Sequence, residues 1–109
     1  MSKWITEDKF VSDLRGVLSH MTADVKWVTG PGRSGAICSV YASYILGVPF
    51  VPYKHSATGL GLVIDTTSQS GKTIRKALKV YERMCGSAMS LTVYNTEERL
   101  HFWYENLTR

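Results

Sequence analysis

The run Leu60-Gly61-Leu62-Val63-Ile64 is apolar without interruption and stops at Asp65 and a string of small polar residues reaching Thr73. A short apolar run with no polar alternation reads as a strand buried on both faces, the situation of a parallel sheet covered by helices. The polar loop then opens a helix expected from Gly71 to Met84. The same order of strand, loop and helix occurs earlier. Val25 to Thr29 is a β-branched and aromatic run that delivers Gly30-Pro31-Gly32-Arg33-Ser34-Gly35. A helix is expected to follow from about Gly35 to Leu46, its small residues Ala36, Ser39, Ala42 and Ser43 allowing close packing on a sheet and Gly47 stopping it.

The remaining segments fit that frame. Thr6 can cap a first helix reaching about His20, with Glu7 and Asp8 in its opening turn and Phe10, Val11, Leu14, Val17 and Leu18 at helical spacing. Val48 to Tyr53 reads as a further strand, which Pro49 and Pro52 push towards a sheet edge or irregular pairing, before a polar loop from Lys54 to Gly59. Ser90 to Tyr94 and Leu100 to Tyr104 are strand-like segments around a turn from Asn95 to Arg99. The expected fold is α/β, a three-layer α/β/α arrangement with a mostly parallel central sheet. A chain of 109 residues has room for one core, so residues 1–109 are expected to form a single domain.

Apolar residues make up 44% of the chain without low-complexity tracts, which excludes disorder, and their stretches are too interrupted for a membrane span or a signal peptide. A cytoplasmic protein is expected, and in that setting Cys38 and Cys85, without metal-type spacing, read as small buried hydrophobes. The formal net charge of +4 favours anionic partners. Nucleic acid would need a basic stripe, for which Lys72, Arg75, Lys76, Lys79 and Arg83 are the candidates; their spacing also fits the solvated face of one helix, which makes nucleic acid the less favoured partner.

Ligands of such sheets sit at the carboxyl ends of the strands, where both polar loops fall. In the loop Asp65 to Thr73, backbone N–H groups at a helix start can dock a phosphate, Gly71 allows close approach, and Ser70 and Thr73 can donate hydrogen bonds. Asp65 is free to accept from sugar hydroxyls. The plainer alternative is that Ser68, Gln69 and Ser70 only cap the helix. A Walker A loop fails on spacing, because its first glycine would stand where Thr66 is. Gly30 to Gly35 also fits a dinucleotide fingerprint, but no acid follows near Tyr53 and Lys54 to recognise a ribose.

Leu62-Val63-Ile64-Asp65 followed by Thr66 to Thr73 resembles the phosphoribosyl pyrophosphate signature of type I phosphoribosyltransferases. Gly30 to Gly35, the helix after it and Gly47-Val48-Pro49-Phe50-Val51-Pro52 resemble that family's pyrophosphate loop and the strand beyond. The resemblance spans about Val25 to Arg83 and implies a phosphoribosyltransferase-like fold that binds phosphoribosyl pyrophosphate or a nucleotide 5-phosphate. Ser70, Gly71 and Thr73 would hold the 5-phosphate, with Thr66, Thr67, Ser68, Gln69 and Lys72 completing that loop. Arg33 with Gly30, Pro31, Gly32, Ser34 and Gly35 would hold pyrophosphate oxygens, and Lys54 is a further candidate. Asp65 and Arg33 are the residues implied in catalysis, Asp65 orienting the ribose and reaching Mg²⁺ indirectly, through ligand or water.

The sequence departs from the family pattern at Thr66, where a second acid is usual, and at Gln69, which cannot manage a proton as an acid there does in purine-type relatives. The segment from Tyr53 to Leu60 is short for a mobile catalytic loop, and little chain follows Tyr94 to form a hood over a base. A transferase, a non-catalytic binder and an interaction module using helix 71–83 towards nucleic acid or a protein all stay open. A base pocket completed by a homodimer is one expectation, and the size would suit a compact genome such as a phage's. His20 is expected at a helix end, His55 nearest the ligand, and Trp4, Trp27 and Trp103 in core and edges.

Overall fold

A computed structural model describes residues 3–68 and 71–107. Strand β1 (Lys3–Ile5) leads into helix α1 (Glu7–Ser19), which begins where expected: the Thr6 hydroxyl accepts the Lys9 N–H at 3.2 Å, and Phe10, Leu14 and Leu18 are buried at helical spacing. Strand β2 (Trp27–Thr29) is followed by helix α2 (Gly32–Leu46), and Gly47 closes that helix in the left-handed region at φ 69°. Strand β3 (Gly61–Ser68), helix α3 (Lys72–Cys85), strand β4 (Ala88–Asn95), strand β5 (Leu100–Phe102) and a 3₁₀ helix over Trp103–Leu107 complete the chain.

The central sheet has the order β2-β3-β4, all parallel, as the repeated strand and helix units require. Alternation along β3 divides the interior. Leu62 and Ile64 face the cluster containing Phe10, Leu14, Leu18, Cys38 and Ala42 of α1 and α2; Val63 faces Trp27 of β2 and Ala77 and Tyr81 of α3. The three-layer α/β/α architecture and parallel sheet therefore stand. Trp27 needs Gly61 beside it, since a Cβ there would lie 2.2 Å from the indole ring.

Several boundaries differ from the sequence reading. Helix α2 starts at Gly32 rather than Gly35, with Pro31 as its N-cap, so most of the glycine-rich loop is the helix's first turn. The segment Val48 to Tyr53 is no full strand: it touches the sheet through a parallel bridge of Phe50 with Val28, with Val28 N–H donating to the Pro49 carbonyl and Val51 N–H to the Val28 carbonyl. Pro49 and Pro52 supply no N–H to extend it. Strand β3 runs past Ile64 to Ser68 because β4 continues alongside it, pairing Asp65 with Thr92 and Ser68 with Asn95. The last strand ends at Phe102, not Tyr104. It pairs in parallel with β1 in a separate two-stranded sheet, a contact between the chain's two ends with no local sequence signal.

Helix α1 is tied to β4 by the Tyr94 hydroxyl, which donates to the Asp13 carboxylate at 2.6 Å and, ahead of the Lys9 ammonium, holds that carboxyl below its usual range. A depressed acid stabilises the fold above its unfolded-state pKa and loses that contribution as pH falls through the folded value. Tyr94→Phe is therefore expected to cost about 1 kcal/mol at neutral pH, shrinking towards zero below about pH 4, as read by urea unfolding across pH.

Candidate functional site

The carboxyl ends of β2 and β3 are drawn together by one close backbone approach. A Cβ on Gly30 would lie 2.2 Å from the Gly35 carbonyl oxygen and 2.4 Å from that of Ile64, so only glycine permits α2 to start directly over β3. Beside this crossing lies a cavity of about 500 Å³. Its walls are Pro31, Gly32, Arg33 and Ser34 from the start of α2, Asp65, Thr66 and Thr67 from β3, and Thr73 from the first turn of α3. The two sequence-derived loops thus face one space.

Asp65 is half-buried in the wall of this cavity. Burial pushes its carboxyl above the usual carboxylate range, opposed by hydrogen bonds from Thr66, whose N–H donates to Oδ1 at 2.8 Å. Thr66 itself is fully buried and acts on Asp65 through both amide and hydroxyl. The position at which a second acid was expected from the family pattern is therefore occupied by a residue that fixes the first.

A third wall comes from the end of the chain. Glu98, Arg99, Leu100, Phe102 and Glu105 line the cavity because β5 is anchored on β1 and the 3₁₀ helix turns back over α2. The Ser34 and Tyr104 hydroxyls are hydrogen-bonded at 2.8 Å, fastening that helix to the first turn of α2. A second cavity, of about 640 Å³, shares Arg33, Ser34, Arg99 and Glu105 with the first and adds Ile37, Tyr104 and Leu107. Burial pushes the Tyr104 phenol up, and its ring stacks on Phe102 at 5.5 Å. None of these C-terminal residues carries a motif in the sequence, which predicts only a turn from Asn95 to Arg99 and a strand-like run from Leu100 to Tyr104 there.

Other candidates fall elsewhere. Gly30 and Gly35 form the crossing beneath the cavity, while Ser68, Gly71 and Lys72 do not line it. Gln69 and Ser70 lie outside the described residues. Lys54 also stays off the wall, its backbone held at φ 72° with its N–H donating to the Tyr81 hydroxyl at 2.7 Å. His55 is likewise absent from the lining, and His101 pairs with Glu105 at 3.0 Å while stacking on Trp4. Among the described residues no group of three His, Cys, Asp or Glu side chains could hold a metal by itself, so a cation here needs oxygens from a ligand. No helix among them is long and apolar enough to cross a membrane.

No protein-family model matches the chain, and no curated protein matches it in sequence. Solved structures do match in shape. The purine phosphoribosyltransferase from Pyrococcus horikoshii Ot3 superposes with a TM-score of 0.77 at 15% identity, over 94% of this chain and 93% of that one. The Helicobacter pylori xanthine-guanine-hypoxanthine phosphoribosyltransferase gives 0.78 at 12% identity, over 96% and 93%. A hypothetical protein from Neisseria gonorrhoeae with bound ppGpp gives 0.71 at 12% identity, over 96% and 89%. With the parallel sheet, the two loops at its carboxyl edge and these near full-length superpositions, the chain has a phosphoribosyltransferase-like fold.

Proposed function

We propose that the cavity binds a phosphorylated ribose, as phosphoribosyl pyrophosphate or a nucleotide 5-phosphate, and that transfer of the phosphoribosyl group is the chemistry it is built for. The carrying observation is the meeting of Asp65, Thr67, Thr73 and Arg33 around one space. Thr73 stands in the first turn of α3, where free amides favour an anion, and Thr67 lines the same space from the end of β3; Asp65 accepts from the ribose hydroxyls; Arg33 clamps the pyrophosphate. Mg²⁺ fits as an ion carried by the pyrophosphate oxygens, with Asp65 reaching it through ligand or water, and would neutralise the leaving group's charge. The second cavity, with Ile37 and Tyr104 on its wall, would receive the nitrogen nucleophile that displaces pyrophosphate from C1.

Non-catalytic nucleotide binding is the second reading, favoured by Thr66 at the second-acid position and by the ppGpp bound to the similar Neisseria protein. The two readings separate by turnover: release of pyrophosphate in a screen of purine and pyrimidine bases marks a transferase, while binding without release marks a sensor. Arg33→Gln is expected to weaken phosphoribosyl pyrophosphate about 10-fold or more and ribose 5-phosphate hardly at all, as measured by calorimetric titration. Equal weakening of both ligands would remove Arg33 from the pyrophosphate end.

A further inference from the structure

Helix α3 carries Lys72, Arg75, Lys76, Lys79 and Arg83 against a single acid, Glu82, a balance of five minus one that equals the whole formal charge of +4. The rest of the chain is neutral in sum. At 3.6 residues per turn the five cations fall within about 100° of the helix circumference. All five are exposed, while Ala77 and Tyr81 on the opposite side are buried against the sheet. Among the described residues, Arg75, Lys76, Lys79 and Arg83 form no ion pair. A helix surface stabilised for its own sake would alternate signs to gain pairs between neighbouring turns. This one concentrates repulsion.

We infer that this stripe is a docking surface for the phosphate backbone of a nucleic-acid strand, independent of what fills the cavity. At a rise of 1.5 Å per residue, Lys72 and Arg83 stand about 16 Å apart along the axis, so the cations form a continuous row along which one phosphate backbone can lie. The stripe contains no aromatic or aliphatic side chain, so it offers no apolar centre for a folded protein partner and no group to stack on bases. Contacts made only by ammonium and guanidinium groups hold phosphates without reading sequence. Binding should be modest, insensitive to sequence and steeply dependent on salt.

The test is fluorescence anisotropy with a labelled single-stranded RNA of about 20 nucleotides and mixed sequence, titrated between about 50 and 200 mM salt. With five phosphates neutralised, the slope of log affinity on log salt is expected near −3.5, an affinity loss of about 100-fold across that range. The combined variant Arg75→Gln, Lys76→Gln, Lys79→Gln and Arg83→Gln keeps good helix formers at exposed positions and should retain the native circular dichroism. Its binding at low salt is expected to fall at least 30-fold, with the slope reduced to about −0.7. A control removing four exposed cations elsewhere, Lys3, Lys9, Arg15 and Lys26 to Gln, should lose less than about threefold. No binding by the wild type, an unchanged slope in the α3 variant, or an equal loss in the control would overturn the inference. So would tighter binding of a poly-glutamate peptide of equal charge, which would assign the stripe to an acidic protein.

Discussion

Asp65→Asn is expected to make the protein more stable at neutral pH and at the same time to weaken its affinity for a phosphorylated ribose about 100-fold. The stability half follows from burial. Desolvation raises the Asp65 pKa more than the Thr66 hydrogen bonds lower it, so the ionised carboxylate is a net cost to the folded state. A group whose folded-state pKa is raised gives its full stability below the unfolded value and loses it as pH rises through the folded one. Asparagine keeps an oxygen to accept the Thr66 N–H at the Oδ1 position and carries no charge. Thermal melts of the two proteins should therefore diverge at pH 7, with the variant higher, and converge below about pH 4. The binding half follows from the loss of charge-assisted acceptors for the ribose hydroxyls, about 100-fold in affinity. A gain in stability with a loss of binding is the mark of a residue kept for its ligand; a loss of both would make Asp65 structural.

Gly30→Ala is expected to destabilise the fold by about 3 kcal/mol or more. The added methyl would sit 2.2 Å from the Gly35 oxygen and 2.4 Å from the Ile64 oxygen. Both are backbone atoms of packed elements, so no rotamer change relieves the clash, and the start of α2 must lift away from β3. The movement takes Arg33 and Ser34 with it, so ligand binding should fail even where the variant still folds. Gly16 is the internal control. It lies in α1, where an added methyl would meet nothing within 4 Å, and Gly16→Ala should stabilise by about 0.5–1 kcal/mol through helix propensity. Chemical denaturation of both variants measures the contrast directly.

What could be read from the sequence is what local chemistry encodes. The uninterrupted run Leu60 to Ile64 gave the central strand, the capping residue Thr6 and its apolar spacing gave α1, and the punctuation at Gly47 ended α2. Both site loops were legible because a strand end followed by small polar residues and a helix start has few other uses. The failures are non-local. Strand β1 is three residues long and owes its existence to β5 at the far end of the chain, so nothing within Lys3 to Ile5 announces it. That pairing also brings Glu98, Arg99, Phe102 and Glu105 to the cavity, a wall invisible to any motif. The polar stretch Asp65 to Ser68 was read as loop because its residues suit one; the ladder offered by β4 overrides that preference. Lys54, next to the site in sequence logic, is held off the wall by its bond to Tyr81.

The most direct measurement is calorimetric titration of the wild type and of Asp65→Asn with phosphoribosyl pyrophosphate in the presence of Mg²⁺. Saturable binding by the wild type, weakened about 100-fold in a variant that melts at least as high, is the expected result. No heat from the wild type with phosphoribosyl pyrophosphate, ribose 5-phosphate or nucleotides, or equal heat from both proteins, would contradict a ribose-phosphate site at Asp65.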